Sequence, residues 1–178
     1  MDAVGLLMVE HRLIEKMVSL LKKEADSGEM KRTANAEFIH SAVDFFRTYA
    51  DKMHHGKEEG ILFRELGKKE LKPEHKAMVG QWVEEHVIAR GEVKGLEEAA
   101  HRYEQGDRSA IESIIMHARR IAALYPPHIK KEDQNFFLLV REYFSEEERG
   151  RMADESNEFD KGFAQEKYSE MVEKYEKP

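Results

Sequence analysis

The chain of 178 residues contains no cysteine and only four prolines. Without cysteine it can form neither disulfide bonds nor thiolate metal sites, so any transition metal must be held by His, Asp or Glu. No hydrophobic run approaches the roughly 18 to 20 residues that a membrane-spanning helix needs, and no signal-peptide pattern opens the sequence. We therefore expect a cytoplasmic protein with no membrane partner.

The sequence also lacks the basic surface that nucleic-acid-binding proteins share. Its net charge is −7, and residues 145–178 hold 11 acidic and 6 basic side chains against 25 and 23 in residues 1–144. Proteins that bind nucleic acid concentrate Lys and Arg on one face. We expect no nucleic-acid partner, and we expect the acidic tail either to close one end of the fold or to meet a protein partner.

Long amphipathic segments occupy most of the chain. Gly28, Pro73 and Gly106 interrupt apolar patterns with i, i+3, i+4, i+7 spacing, which is typical of helices. The sequence predicts an all-α fold, an up-down-up-down antiparallel four-helix bundle in residues 1–144 with a helical extension in 145–178. Ser145, which three glutamates follow, predicts the start of a tail helix. The bundle helices are expected near residues 2–27, 33–67, 73–105 and 108–144.

Each predicted bundle helix carries a histidine in its apolar stripe, and two carry a glutamate one turn later. At about 1.5 Å of rise per residue, the four histidines lie roughly 14 to 24 Å from one end of the bundle, in a single layer. The segments "HHGKEEGILF" (54–63) and "HIKKEDQNFF" (128–137) repeat each other, as do "EHRLIEKMVSLL" (10–21) and "EHVIARGEVKGL" (85–96). Two similar hairpins would thus surround one pseudo-twofold site. Its six predicted donors are His11, His54, Glu58, His86, His128 and Glu132.

The six inward donors predict a metal site. Burying imidazoles and carboxylates in a helical core is costly unless a cation neutralises them. Residues four apart lie on one side of a helix, so each His-x-x-x-Glu pair can hold an ion. Imidazole with carboxylate suits iron, manganese or zinc, and a bridging carboxylate suits two metals close together.

A second histidine and glutamate pair, His55 and Glu59, has the same spacing as His54 and Glu58. The match between the two repeated segments selects His54 and Glu58 as the inward pair. In an α-helix the neighbouring residues point about 100° away, so we expect His55 and Glu59 to lie outside the ligand set or on the surface.

Two residues of the fourth helix leave alternatives open. Asp133 competes with Glu132 as the carboxylate ligand, because Pro126-Pro127 upstream removes two helical donors and can adjust the helix. In a regular helix Asp133 would be a solvated acid. Tyr125 precedes a histidine by one turn, so its phenol is a candidate ligand or hydrogen-bond donor.

This ordered set of motifs resembles the hemerythrin-like (HHE) family of four-helix bundles over about residues 5–142. The resemblance rests on "EH" at 10–11 and 85–86 and on the two segments that begin at His54 and His128. It implies a non-haem di-iron centre, bridged by carboxylates and by an oxo or hydroxo group; manganese and zinc stay alternatives because the donor types suit them as well. It also implies binding or sensing of O2 or NO, or reduction of a related small oxidant.

Two departures from the family bear on this expectation. In the oxygen-carrying members a second histidine follows the first by four residues on the third helix, whereas Arg90 stands there in this chain. One iron then has one nitrogen fewer, which argues against reversible oxygen carriage. Members that repair iron centres usually carry a cysteine-bearing segment, and this chain has no cysteine. The rival hypotheses are an iron donor to damaged iron–sulfur centres under nitrosative or oxidative stress, and a structural or interaction bundle with zinc or no metal.

Overall fold

In the computed structural model, which describes residues 2–177, four long helices form a bundle and two shorter helices follow. α1 spans Ala3–Lys31 and α3 spans Pro73–Glu104. α2 covers residues 36–66 and α4 covers residues 110–143. The tail forms α5, Glu146–Asp160, and α6, Gln165–Glu176. The all-α four-helix prediction is confirmed, and the terminal residues of the two predicted units, Met1 and Pro178, lie outside the described residues.

Local sequence signals explain where several helices begin. Asn35 caps α2 by accepting a backbone hydrogen bond, and Pro73 opens α3, where a missing N–H costs nothing. Ser145 and Glu148 form a reciprocal capping box at the start of α5. The tail helix predicted from Ser145 is therefore confirmed.

The end of α1 differs from the prediction. The helix continues through Gly28 to Lys31 and ends at Arg32, whose φ of 54° is left-handed. A Cβ at Gly28 would lie 3.1 Å from the carbonyl oxygen of Thr33 and 3.6 Å from a side-chain carbon of Ile115. Gly28 therefore permits close packing of α1 against α4 and does not stop the helix.

Each bundle helix packs against two others, α1 and α3 both lying between α2 and α4. Buried apolar side chains form a larger and a smaller hydrophobic core. On α1, Ile14 belongs to the larger core and Leu7 to the smaller, and His11 lies between them. On α3 the corresponding residues are Ala89 and Trp82. A polar layer thus separates the two cores, at the level where the sequence places the histidines.

α2 and α4 depart from regular α-helix close to their histidines. π-helical hydrogen bonding occupies Phe45–His55 and Glu58–Phe63 in α2 and Glu132–Phe136 in α4. Such i→i+5 turns are rare and are frequently found at functional sites. Pro126 and Pro127 stay inside α4, and its wide turn begins shortly after them. The two helices that carry the His-x-x-x-Glu pairs are therefore the two that widen.

The tail packs along one side of the bundle, on α1 and α2. Met152 of α5 joins the smaller core, and Tyr168 and Val172 of α6 join the larger one. The tail is thus two helices that lie along the side of the bundle, where the sequence predicted one further helix that would either close one end or meet a protein partner. None of the helices formed by residues 2–177 combines the length and hydrophobicity that crossing a membrane requires.

Candidate metal centre

The polar layer between the two cores contains the donors expected from the sequence. Each of the six comes from one of the four bundle helices, and each is at most 4% exposed. The structure therefore brings together His11, His54, Glu58, His86, His128 and Glu132.

The two glutamates lie between histidines of different helices. Nε2 of His54 is 3.4 Å from Oε1 of Glu58, and Nε2 of His86 is 3.3 Å from its Oε2. Oε2 of Glu132 lies 3.3 Å from Nε2 of both His11 and His128. Each carboxylate therefore faces one histidine from each side of the layer, the position that a bridging ligand takes.

The six donors, joined by His55, divide into two groups, each with its ligand atoms within 4.8 Å of one another. The two-histidine group consists of His11, His54, Glu58 and Glu132, and the three-histidine group consists of His55, His86 and His128. Through Glu58 and Glu132 the first group contacts two histidines of the second. The layer can thus offer two adjacent cation positions with unequal numbers of nitrogens.

His55 does not lie on the surface, which was one of its two expected places. It is 2% exposed, and its ring stacks on that of His86 with centroids 3.8 Å apart. The expectation assumed the 100° rotation per residue of an α-helix, whereas the wider π-helical turn rotates the chain less at each step. His54 and His55 therefore both face the interior.

Every histidine of the two groups places Nδ1 against a carboxylate. These contacts fix the ring and leave Nε2 as the inward donor, as in metal sites where an outer carboxylate orients the ligand. The pairs are His11 with Asp133 at 2.8 Å, His54 with Glu10 at 2.9 Å, His55 with Asp51 at 3.3 Å, His86 with Glu59 at 2.7 Å and His128 with Glu85 at 2.7 Å.

Asp133 and Glu59 thus act on histidines from outside the two groups. Asp133 accepts from His11 and is paired with Arg12, while Glu132 points inward with 0% exposure. Glu59 accepts from both His86 and Arg90. Of the two competing acids on α4, Glu132 is the one that faces both donor groups. Asp133 and Glu59 are held by a histidine and an arginine and are not simply solvated.

Glu10, Asp51 and Glu85 are site residues that the sequence reasoning missed. Glu10 and Glu85 are the first letters of the two "EH" pairs, and each bonds the histidine of a neighbouring helix and not its own neighbour. The repeat of the "EH" pair was the available signal. Its meaning depended on contacts between helices, which sequence spacing does not give.

Several inward atoms have no hydrogen-bond partner among the described residues. These buried atoms are Nε2 of His11, His86 and His128 and both carboxylate oxygens of Glu58 and Glu132. Orphaned polar atoms are rare in folded proteins because each carries a desolvation cost. Imidazole nitrogens and carboxylates that converge in this way suit iron, manganese or zinc, so the residues fit a bound pair of cations.

The electrostatics of the layer are those of a cation site. Burial raises the pKa of Glu132 well above its ordinary value, and the charge of Glu58 adds to this effect. Burial would also raise the pKa of Glu58, but His54 and His86 lower it well below its ordinary value. Burial would lower the pKa of His54, but Glu58 and Glu10 raise it to about 9. Without metal, protons supply the positive charge that these carboxylates need.

The three-histidine group borders an opening to solvent. A cleft of about 320 Å³ is lined by His55, Arg90, Tyr125 and Phe46, among others. A void of about 10 Å³ shares His55 and Tyr125 with the cleft and is also lined by His86 and His128. Tyr125 is 3% exposed, with its ring centroid 6.2 Å from that of His55, and burial raises its pKa. The phenol therefore stays protonated at the inner end of the cleft.

The fold and the buried histidine and carboxylate groups define a metal-binding helical protein. The sequence model of the family described as Hemerythrin HHE cation binding domain matches residues 2–140, and the chain therefore belongs to that family. The match contains both donor groups and ends before α5 and α6. Neither the curated proteins nor the solved structures that were searched gave a significant match.

Proposed function

We propose that the protein is a non-haem di-iron protein that binds or senses O2 or NO, or reduces a related small oxidant. The observation that carries this proposal is the position of Glu58 and Glu132, each facing both donor groups at 3.3 to 3.4 Å. One ion would be held by the two-histidine group and the other by the three-histidine group. When bound, two irons would supply one-electron redox chemistry and affinity for a diatomic ligand.

Two imidazoles of the three-histidine group are neutral donors before any ion arrives. Burial lowers the pKa of His55 to about 3 and that of His128 to about 4, so both rings are neutral at neutral pH. Their Nδ1 atoms face Asp51 and Glu85, which keeps the Nε2 lone pair directed inward. Two rings of the three-histidine group can therefore bind a cation without losing a proton. Burial would also lower the pKa of His86, but Glu58 and Glu59 raise it, so this third ring holds its proton more strongly.

The cleft gives a small ligand a way to the site. The cleft meets the three-histidine group at His55, and Arg90 and Tyr125 also line it. One turn beyond the two glutamates, Ile61 and Phe136 are buried in the smaller core and exclude water from that end. A small ligand would therefore enter on the side of His55.

Iron analysis and spectroscopy of protein produced with iron test the proposal. We expect two irons per chain, a visible band from an oxo or hydroxo bridge, and a spectral change on adding NO, O2 or peroxide. Glu132→Gln should abolish the bridge band. The matched control is His117→Gln, which alters a histidine bonded through Nδ1 to Glu92 at 2.7 Å but outside both groups.

Protein produced with iron that contains neither two irons nor the visible band would contradict the proposal. A melting temperature that chelation leaves unchanged would also contradict it, because metal bound only to the folded state must stabilise that state. If NO treatment made the protein transfer its iron to an apo-acceptor, iron donation would replace sensing as the proposed function. The cytoplasmic location, the choice of iron over manganese or zinc, and a protein partner for the acidic tail stay predictions.

A further inference from the structure

Lys57 is a buried cation beside the candidate centre whose role the donor set does not explain. Its side chain is 1% exposed, and it precedes Glu58 on α2. A fully buried lysine is rare unless it is paired. Its ammonium group contacts Glu10 of α1 and lies 2.6 Å from Oδ1 of Asp160, the last residue of α5. The tail thus supplies one of the two counterions of this lysine.

These contacts connect the tail to a histidine of the centre. Asp160 binds Lys57, Lys57 binds Glu10, and Oε2 of Glu10 lies 2.9 Å from Nδ1 of His54. His54 in turn directs Nε2 toward Glu58 at 3.4 Å. Three polar contacts therefore lead from outside the family match to the two-histidine group.

The other half of the site shows what the tail adds. Lys131 precedes Glu132 as Lys57 precedes Glu58, and it donates to Glu85 at 3.0 Å, the carboxylate that faces His128. Its side chain is 42% exposed, and Glu85 is its only carboxylate partner among the described residues. The same series of contacts, from a lysine through a glutamate to a histidine, thus occurs in both halves of the site, and α5 covers only the series that begins at Lys57.

Helix stability does not explain an acid at the position of Asp160. A carboxylate at the C-terminus of a helix opposes the helix dipole, and the last turn of α5 has no basic residue. Neighbouring contacts fix the placement, since the ring of Phe159 would lie 3.2 Å from a Cβ at Gly56. The close approach of α5 to α2 at this glycine delivers the carboxylate to Lys57.

We propose that Asp160 is a positioning residue for the metal centre, through which α5 holds Lys57, Glu10 and thereby the imidazole of His54. The effect on metal binding that follows from this inference rests on the proposed function. Removing the carboxylate leaves Lys57 with one counterion, so its positive charge opposes a cation nearby and draws Glu10 away from His54. The two-histidine group should weaken, while the three-histidine group should not.

The test uses the full chain with Co²⁺ as the metal probe and the variants Asp160→Asn, Asp160→Glu and Asp154→Asn. Asp154 is exposed on the same helix, so its variant is the control for the charge change. In competition titrations we expect Asp160→Asn to weaken one of two Co²⁺ equivalents by about tenfold, the lower end of the effect of outer partners. Asp160→Glu should show a smaller loss, and Asp154→Asn none.

A second readout needs no metal. In ¹⁵N-labelled metal-free protein, the Nδ1–H resonance of His54 should shift and exchange faster in Asp160→Asn, while that of His128 stays unchanged. A variant that merely loosened the fold would move both resonances. Asp160→Glu keeps the charge and should shift the His54 resonance less, which supplies a second variant if Asp160→Asn does not fold.

An unchanged His54 resonance in Asp160→Asn, or equal shifts at His54 and His128, would overturn the inference. An equal effect of Asp154→Asn would do the same, because only bulk charge would then matter. Wild-type protein that binds fewer than two Co²⁺ ions would contradict the proposed function alone, and the metal-free resonances would still decide the role of Asp160.

Discussion

Lys57 and Lys131 occupy matching positions in the two helical hairpins, each one residue before a glutamate that faces both donor groups. Each binds the glutamate of an "EH" pair, yet Lys57 is 1% exposed and Lys131 is 42% exposed. The repeated sequence places the same contacts in both hairpins. The tail, which lies outside the repeat, buries the ion pair of Lys57 with Glu10 and leaves that of Lys131 with Glu85 at the surface.

A second difference concerns the nitrogen count. The first hairpin has His55 after His54, whereas the second has Ile129 after His128. His55 belongs to the same group as His86 and His128, so the first hairpin contributes one nitrogen to the other half of the site. One non-repeated residue thus turns a pseudo-twofold arrangement into two unequal positions, and the cleft opens at the position with more nitrogens.

The largest expected effect removes a residue that both halves share. Glu58→Gln and Glu132→Gln should each release both metal ions, because each carboxylate faces a histidine of both groups. The loss in affinity should exceed the about 10- to 100-fold cost of losing an outer partner, as measured by competition titration. Two tightly held ions in either variant would show that the carboxylate does not bridge.

The next effect separates the two lysines. Lys57→Met leaves the buried Glu10 and the partly buried Asp160 without their shared cation, which should cost about 3 to 5 kcal/mol of unfolding free energy. Lys131→Met removes an exposed pair and should cost less than about 1 kcal/mol. Chemical denaturation of both metal-free variants measures the difference. Equal losses of unfolding free energy would mean that α5 does not bury Lys57 and Glu10 in solution.

Replacing His55 tests the unequal nitrogen count. His55→Phe keeps an aromatic ring against His86 but removes the donor, so one metal equivalent should weaken by at least the about 10-fold that losing an outer partner costs, while the other stays. Titration with Co²⁺ against a chelator reports the two equivalents separately. If both equivalents keep wild-type affinity, His55 is a packing residue and each half has two nitrogens.

The smallest effect is a pH dependence of opposite sign at two histidines of the metal-free protein, His54 and His128. His54 has its pKa raised from 6.5 to about 9, so its stabilisation is complete below pH 6.5 and is lost as pH rises through 9. Burial lowers the pKa of His128 from 6.5 to about 4, so stability is lost as pH falls from 6.5 toward 4. Each contribution should be about 1 to 3 kcal/mol.

Denaturation across this pH range would resolve the two limbs. His54→Gln should reduce the alkaline limb, to which the raised pKa of His86 also contributes, and leave the acid limb. His128→Gln should reduce the acid limb, to which the lowered pKa values of His11 and His55 also contribute, and leave the alkaline limb. A single variant that reduces both limbs would indicate that the two histidines titrate as one coupled cluster.

Helical spacing was sufficient to predict the four-helix fold and the six donors that the structure brings together. Apolar periodicity places His11 and His86 on inward stripes, and the i, i+4 rule places Glu58 and Glu132 beside their histidines. These inferences need only the local geometry of one helix. The layer then follows because the helices are long and the connections between them short.

What the sequence could not give depended on departures from that geometry or on contacts between elements. His55 faces inward because α2 widens, and no periodicity at 100° per residue would show this. Glu10 and Glu85 serve neighbouring helices, so their partners follow only from packing. Burial of Lys57 depends on where α5 ends, which the sequence of the bundle does not contain.

The central claim is that two cations lie at unequal positions and share two carboxylates. Anomalous diffraction at the iron edge from crystals of iron-loaded protein tests it directly. The account predicts two peaks a few ångströms apart, one beside His11 and His54 and the other beside His55, His86 and His128, with Glu58 and Glu132 between them. A single peak, or peaks away from this layer, would contradict it.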